Sequence, residues 1–384
     1  MKVIFSVRPS YGHLYPLMPL AFAFRDAGHD VTFATGSGFV PKLRSLGFDA
    51  RPVGRSILWS EEEAIRLNPA LGNLAPQEKP KLGQEMFSRI LPPRTVEDLV
   101  PLIAEVQPSL VIFDQADLGA PLAAALAGIP SAIHSYGIPW PPFMAIPMAA
   151  NLQQLWRDHG VSDPPEDPIH GNIYIDISPP TIGDASALGF PHRLPMRPVP
   201  FDEPAGGLPG WVTEPRSRPL VYVTLGTVVY ERINVIRAVI DGTAGLEVDV
   251  LVSVGPEGSV EALGPLRAGV HAERFVPQAQ LMPHLTAIAH HCGSGTMLGG
   301  LAHGIPQLAL PQGADQFENA ARLAEVGAGL ALMPAQITPD AVAKQMRKLL
   351  DVASYRRTAG NLRDEIAAMP SPRQVVEELV QLTG

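Results

Sequence analysis

The 384-residue sequence contains a single cysteine, Cys292. One thiol can form neither an intrachain disulfide nor a cysteine-based zinc cluster. No stretch reaches the ~20 uninterrupted apolar residues of a membrane helix. The opening run MKVIFSV stops at Arg8-Pro9, too soon for a secretory signal core with a cleavage site, and it reads as a buried strand. The cytoplasm is therefore the expected location. Basic side chains are in deficit, with 29 Lys and Arg against 38 Asp and Glu and a net charge of −9. A surface that follows a nucleic-acid backbone needs clustered Lys and Arg, so nucleic acid is not an expected partner. Three phosphate or metal signatures are also missing. No G-x-G-x-x-G turn follows the first strand, no glycine loop ends in a Walker lysine, and no Asp-x-Asp pair is present to hold a divalent ion. What remains is 46% hydrophobic and 17% charged, which suits large globular cores rather than disorder. The length suits two domains.

Local signals alternate along the chain. Lys2–Val7 is a β-rich run. Leu17, Leu20, Ala21 and Phe24 recur at helical spacing over Pro16–Ala27, a helix that Pro16 would open and Gly28 end, and Asp30–Thr35 is the next strand. Leu110–Phe113, Leu118–Ala127 and Ser131–His134 repeat strand, helix, strand. Such alternation builds βαβ units on a parallel sheet. From Pro195 to Pro219 the periodicity disappears and Pro and Gly dominate, as in a stiffened linker. Alternation then resumes. Strands are expected at Leu220–Leu225, Val248–Val254, Thr286–His290 and Gln307–Leu310, with helices at Ile233–Gly242, Pro277–Leu285, Thr296–His303 and Gln316–Val326. Three helices close the chain, Pro339–Leu350, Tyr355–Ala368 and Pro372–Leu382. The expected class is α/β with two Rossmann-like domains, over 1–200 and 219–366. A linker over 201–218 joins them, and a C-terminal helix occupies 367–384. Residues 134–160 resist this pattern, with four prolines and two of the four tryptophans. The wall of an apolar pocket and a buried connecting loop are both open readings there.

The densest polar cluster lies in the second half. A strand ends at His290, and His291-Cys292-Gly293-Ser294-Gly295-Thr296 turns into a helix. Glycines admit a ligand close to the backbone, and a helix start offers unpaired N–H groups to a phosphate. Ser294 and Thr296 would add hydroxyls and His291 one further donor. The plain alternative is helix capping. Thr227 in the Gly-Thr turn of YVTLGT is a second donor set, and Ser253 with Gly255 ends a third strand. Small polar residues at three strand ends fit ligand binding at the carboxyl edge of a parallel sheet.

HHCGSGT followed by GIPQLALPQGADQFENA resembles the donor-site motif of nucleotide-sugar-dependent glycosyltransferases of the GT-B fold, closest to the bacterial natural-product branch. The GH turn at Gly12-His13, the linker, TLGT and FVPQAQLM occur in the same order, so the resemblance spans the chain. It implies two parallel-sheet domains facing across a cleft, with the C-terminal helix returning to the first. It places the diphosphate at His291, Gly293, Ser294, Gly295, Thr296 and Thr227, and the nucleoside at Phe275, Val276 and Gln278. Asp315 and Gln316 would meet the sugar hydroxyls. Asp315 with Glu318 also reads as a capping pair for the next helix. No metal or other cofactor is implied. The co-substrate would be a thymidine- or uridine-diphosphate sugar, and the branch favours a thymidine-diphosphate deoxysugar.

The resemblance also turns attention to His13, which otherwise reads as a turn residue. A histidine suits a base near neutral pH, and a carboxylate on its second nitrogen fixes the tautomer and stabilises the imidazolium once formed. Asp114, closing LVIFD, matches the family's carboxylate; Asp117 is a second candidate. The acceptor would be a flat hydrophobic aglycone such as a polyketide, against Trp59, Trp140, Phe143 and Met144. The expected reaction is inverting transfer to a small-molecule acceptor. A non-catalytic helper of a partner transferase and a nucleotide-sugar epimerase are the alternatives. Oligomeric state, a homodimer included, is left open.

Overall fold

The computed structural model describes residues 1–75, 78–169, 173–183, 190, 192–203, 206–226, 232–255 and 258–383. They fall into two units, one of Met1–Ile177, Asp184–Met196 and Pro370–Gly384, the other of Ser178–Gly183 and Arg197–Met369.

In the first unit the order is β1 Lys2–Val7, α1 Tyr11–Asp26, β2 Asp30–Thr35, α2 Val40–Ser45, β3 Asp49–Pro52, α3 Ile57–Leu67, α4 Pro80–Glu85, α5 Leu91–Val106 and β4 Leu110–Asp114. There follow α6 Ala120–Leu126, β5 Ser131–His134, α7 Pro142–Asp158, β6 Ile173–Asp176 and β7 Arg193–Pro195. All strands are parallel, in the order β3-β2-β1-β4-β5-β6-β7. Covered on both faces, β1 and β4 are near-continuous apolar runs, which is why their sequences read as strands.

Two features of this unit differ from the sequence reading. First, α1 starts at Tyr11, so Pro16 and Pro19 lie inside the helix and Pro16 does not open it. Lacking N–H groups, they leave the carbonyls of Gly12 and Tyr15 without i+4 donors. The apolar face buried by Leu14, Leu17, Met18, Leu20, Ala21 and Phe24 offsets that loss. Second, residues 142–158 form a 17-residue helix rather than a connecting loop. Pro142 starts it, Met148, Leu152 and Trp156 are its buried stripe, and Pro147 is absorbed within it. The stretch 57–106, where the sequence pattern assigns no element, contributes α3, α4, a π-helical turn Met86–Ile90 and α5.

In the second unit the order is α8 Gly210–Thr213, β8 Leu220–Thr224, α9 Ile233–Gly242, β9 Asp249–Ser253, β10 Val270–Glu273, α10 Gln278–Leu281 and β11 Ala287–His290. Then come α11 Ser294–Ala302, β12 Gln307–Ala309, α12 Gln316–Glu325, β13 Gly329–Ala331, α13 Pro339–Asp351 and α14 Ala353–Ala368. The sheet is again parallel, in the order β10-β9-β8-β11-β12-β13. One face packs Val221, Val223, Val250 and Val252 under α9 and α13; the other packs Tyr222, Leu251 and Ile288 with Leu281 and Val212. The linker expected over 201–218 is therefore part of this unit. Val212 is fully buried, worth roughly 1.5 kcal/mol by area removed from water, and Trp211 stacks on His271 at 4.0 Å. The last helix, α15 Pro372–Thr383, packs on α1 in the first unit through a face that includes Val375, Val376 and Leu379, and the division falls at Met369/Pro370 rather than 366/367.

Each sheet reverses its strand order once, between β1 and β4 in the first unit and between β8 and β11 in the second. At such a switch point the loops leave the two central strands toward opposite faces, opening a crevice at their carboxyl ends.

Candidate functional sites

His13 and Asp114 occupy the switch point of the first unit. His13 lies in the first turn of α1, just after β1, and Asp114 ends β4. His13 Nδ1 and Asp114 Oδ1 are 2.9 Å apart. The carboxylate is fully buried and held from two further directions. Arg8 N–H donates to Oδ2 at 2.6 Å and Ala116 N–H to Oδ1 at 2.8 Å. Burial pushes the Asp114 carboxyl up, but the adjacent His13 ring and the two backbone donors outweigh it, leaving its pKa below the ordinary value. Asp114 is thus an anion at neutral pH, so His13 Nδ1 donates its proton to Oδ1. Asp117 is turned away from His13. It takes hydrogen bonds from Arg8, Thr95 and Ser6 instead.

Aromatic groups extend from the dyad. Tyr136, after β5, packs edge-on against the His13 ring at 4.8 Å. Trp140 Nε1 donates to Tyr136 Oη at 2.7 Å, and Phe87 from the π-helical turn lies 5.8 Å from the Trp140 ring. Gln84 Nε2 donates to the Phe143 carbonyl at 2.8 Å, which ties α4 to α7, and Phe143 itself is exposed. Met144 and Trp59 are half-buried, Trp59 on α3, whose start Ser56 caps. The structure thus connects Trp140 to His13 through Tyr136, a residue the sequence reading passed over.

His291 occupies the switch point of the second unit, directly after β11, with Gly226 just after β8. Thr227 lies outside the described residues. The ring is cradled by two glycines. A Cβ on Gly226 would stand 2.6 Å from His291 Cε1, and one on Gly293 2.5 Å from Nε2. Gly226 also has φ +75°. Burial lowers the His291 pKa to about 4, so the ring is neutral, and its Nδ1 is buried without a protein partner. Gly226→Ala adds a backbone cost of about 1–2 kcal/mol to that clash. It is expected to weaken nucleoside-diphosphate binding about tenfold by calorimetry, and an unchanged Kd would remove the cradle from the site.

His290 sets the turn that aims this motif. Cys292 N–H donates to His290 Nδ1 at 3.1 Å, so His290 Nε2 carries the proton and donates to Gln307 Oε1 at 2.7 Å. Gln307 Nε2 then donates to the Met297 carbonyl in α11 at 2.9 Å. This chain holds Cys292 at φ +66°, a backbone conformation rare outside glycine.

Other expected donor residues fall into two groups. Gly295 is exposed with open space where a Cβ would be, Phe275 is exposed, and the α11 start is capped by no side chain. Those features leave room for a ligand. Ser294 and Asp315, by contrast, are joined: Ser294 Oγ donates to Asp315 Oδ2 at 2.9 Å. Asn319 Nδ2 lies 3.0 Å from each of the Cys292 carbonyl, Ser294 Oγ and Asp315 Oδ2. The Ser294 hydroxyl is thus spent, so Ser294 offers an anion its backbone N–H instead. Asp315 sits at the N-cap position of α12 but its side chain caps nothing, so the capping pair with Glu318 does not form. Its Oδ1 is left for a ligand. Gln316 Oε1 accepts from Gln312 N–H at 2.8 Å and Gly313 N–H at 3.1 Å, so only its Nε2 can serve a ligand.

Ser253 is withdrawn from any ligand. Its hydroxyl is buried, 2.6 Å from Tyr222 Oη and 2.9 Å from Thr224 Oγ1. Gln278 joins the same network through Tyr222 Oη at 3.3 Å and Thr296 Oγ1 at 3.2 Å. The Val276 side chain is buried in the core, leaving only its backbone for a nucleoside. Asn319 was absent from the sequence reading; its i+4 spacing from Asp315 on one helix was the available signal. Among the described residues no three His, Cys, Asp or Glu side chains gather as a metal site, and no helix is long and apolar enough to cross a membrane.

Two parallel Rossmann-like units, each with a histidine at its switch point, define a nucleotide-sugar-dependent glycosyltransferase of the GT-B fold. Residues 22–226 match the N-terminal domain, and residues 237–382 the C-terminal domain, of the erythromycin biosynthesis protein CIII-like family, and the chain belongs to that family. It is 33% identical to the L-demethylnoviosyl transferase of Streptomyces niveus, over 99% of this chain and 97% of that one. It is 29% identical to the 3-alpha-mycarosylerythronolide B desosaminyl transferase of Saccharopolyspora erythraea, over 98% and 97%. The crystal structure of the glycosyltransferase VinC in complex with dTDP superposes with a TM-score of 0.82 at 30% identity, covering 100% of this chain and 99% of that one.

Proposed function

We propose that this enzyme transfers a deoxysugar from a thymidine-diphosphate donor to a hydroxyl of a hydrophobic polyketide-like aglycone, by single displacement with inversion. His13 Nε2 takes the proton of the acceptor hydroxyl. The freed oxygen pair forms the new bond to the anomeric carbon, and the bond to the diphosphate breaks with its electrons on the departing phosphate oxygen. Asp114 stabilises the imidazolium. The observation that carries this reading is the 2.9 Å contact between His13 Nδ1 and a buried carboxylate fixed by two backbone N–H groups.

In the second unit the α11 N-terminus, the backbone N–H groups of 293–296 and His291 would stabilise the departing diphosphate, with no divalent ion required. Asp315 Oδ1 would accept from a sugar hydroxyl and Gln316 Nε2 would donate to one. Phe275 would stack on the base. Tyr136, Trp140 and Phe87, with Phe143, Met144 and Trp59 beyond them, supply the apolar wall for the aglycone. The dTDP bound to VinC supports thymidine over uridine.

The test is incubation with dTDP-deoxysugar and a polyketide aglycone, alone and together, with and without chelator. The expected outcome is a glycoside of inverted anomeric configuration only when both are present, at a chelator-independent rate. Epimerised sugar from the donor alone would make the protein an epimerase. Turnover only in the presence of another transferase would make it a helper.

A further inference from the structure

Arg8 is a buried charged side chain beside the His13–Asp114 pair that the reaction does not use. It is 2% exposed and follows directly on β1. Its guanidinium folds over the turn after β4, where Nε donates to the Ala116 carbonyl at 3.2 Å. Nη2 donates to Asp117 Oδ1 at 2.5 Å and Thr95 Oγ1 at 2.8 Å. Asp117 is in turn held by Ser6 at 2.6 Å and Thr95 at 2.8 Å. The turn so gripped is the one whose Ala116 N–H donates to Asp114 Oδ1, the oxygen that faces His13. Arg8's own backbone N–H holds the other oxygen. One residue therefore fixes both backbone donors that orient the Asp114 carboxylate.

We propose that Arg8 and Asp117 are a positioning pair, a buried ion pair whose function is to lock the 114–117 turn so that Asp114 Oδ1 stays on His13 Nδ1. A buried ion pair is a poor source of stability, because desolvation consumes most of its attraction. This pair is retained for orientation. The planar fork is needed, since a lysine ammonium cannot bridge the Ala116 carbonyl, Thr95 and Asp117 together. The other groups facing the dyad are His134, the register partner of Asp114 on β5, and Tyr136 against the His13 ring.

The proposal rests on the base role of His13, and its test is arranged to separate the two. Arg8→Met is the main variant. Asp117 then keeps Ser6 and Thr95 and, with its pKa already raised by burial, takes a proton rather than standing as a lone buried charge. Arg8→Lys is the milder variant should Arg8→Met not fold. In both, kcat is expected to fall about tenfold with KM within about twofold. The acid limb of kcat/KM moves about one pH unit toward acid as Asp114 supports the imidazolium less; one unit is a tenfold change in that equilibrium. Histidine-labelled NMR supplies a readout independent of turnover: the downfield Nδ1 proton of His13 expected in the parent enzyme shifts or broadens in the variants. Folded variants with parent kcat, pH profile and NMR signal would overturn the proposal. So would a lower kcat with the limb and the signal unmoved, which is the mark of a merely structural pair. If His13→Ala retains turnover, the base role fails, and the NMR signal still decides whether Arg8 orients Asp114.

Discussion

His13→Ala is expected to lower transfer to a hydroxyl acceptor by about 10²–10⁴-fold, the usual worth of a positioned general base, with nucleoside-diphosphate binding within about twofold of the parent. The separation follows from where the groups lie. Every residue assigned to the donor belongs to the second unit, and His13 belongs to the first. Among the described residues the ring bonds Asp114 and makes an edge contact with Tyr136. Its removal leaves Asp114 still held by Arg8 and Ala116 N–H, so the fold survives. Asp114→Asn keeps shape but replaces the anion by an amide. The ring is then free to rotate, and its imidazolium loses the counter-charge. A loss of about 10²-fold or more is expected, with the deficit in kcat rather than KM. Steady-state kinetics with a hydroxyl acceptor and calorimetry with dTDP check both variants. Near-parent turnover in His13→Ala would show that the acceptor loses its proton to something else. A thiol or acidic phenol acceptor, which ionises on its own, should show a much smaller penalty in the same variant.

The strands were legible because a doubly covered parallel sheet writes itself as apolar runs. Lys2–Val7, Asp30–Thr35 and Ser131–His134 have the same bounds in sequence and structure. Helices were harder to read where proline intervenes. Pro16 looks like a first helical residue, yet α1 already has its first turn before it, and that turn is where His13 sits. Pro101 inside α5 and Pro147 inside α7 break the local pattern, but the buried stripes Val96-Leu99-Leu102-Ile103 and Met148-Leu152-Trp156 decide the outcome. Tertiary burial outweighs a cost of about 3 kcal/mol for an internal proline. The sites divide in the same way. His13 and Asp114 are 101 residues apart, so only a resemblance to a known architecture could pair them beforehand. The role of Asn319 depends on three acceptors brought within 3.0 Å by the fold, and that of Arg8 on a turn three strands away in the chain. Ser253 was read as a donor contact because it ends a strand; a tyrosine from the next strand, Tyr222, claims its hydroxyl instead.

Acid is expected to unfold the protein well before its carboxylates titrate, because buried histidines in both units are neutral in the native state. Burial lowers His134 to about 4 and His290 to about 3, against an ordinary value of 6.5. Unfolding restores the ordinary value, so below pH 6.5 the unfolded chain binds protons that the folded one refuses. The contribution of each ring to stability is whole above about pH 6.5 and is lost as pH falls toward its folded value, at about 1.4 kcal/mol per pH unit. His291, lowered to about 4, adds the same sign in the second unit. Asp117, raised by burial, runs the other way in the first unit, binding its proton more readily folded than unfolded. In His290 burial is the main cause, and the consequence of a proton is specific: on Nδ1 it would expel the Cys292 N–H that nitrogen accepts and break the chain through Gln307 to α11. Urea unfolding between about pH 7 and about pH 5 should show a stability that falls steadily, with the slope reduced by about one proton in His290→Asn. A flat profile over that window would mean that these rings take up protons in the native protein as readily as in the unfolded chain, and that the turn carrying His291 is held by something other than a neutral His290.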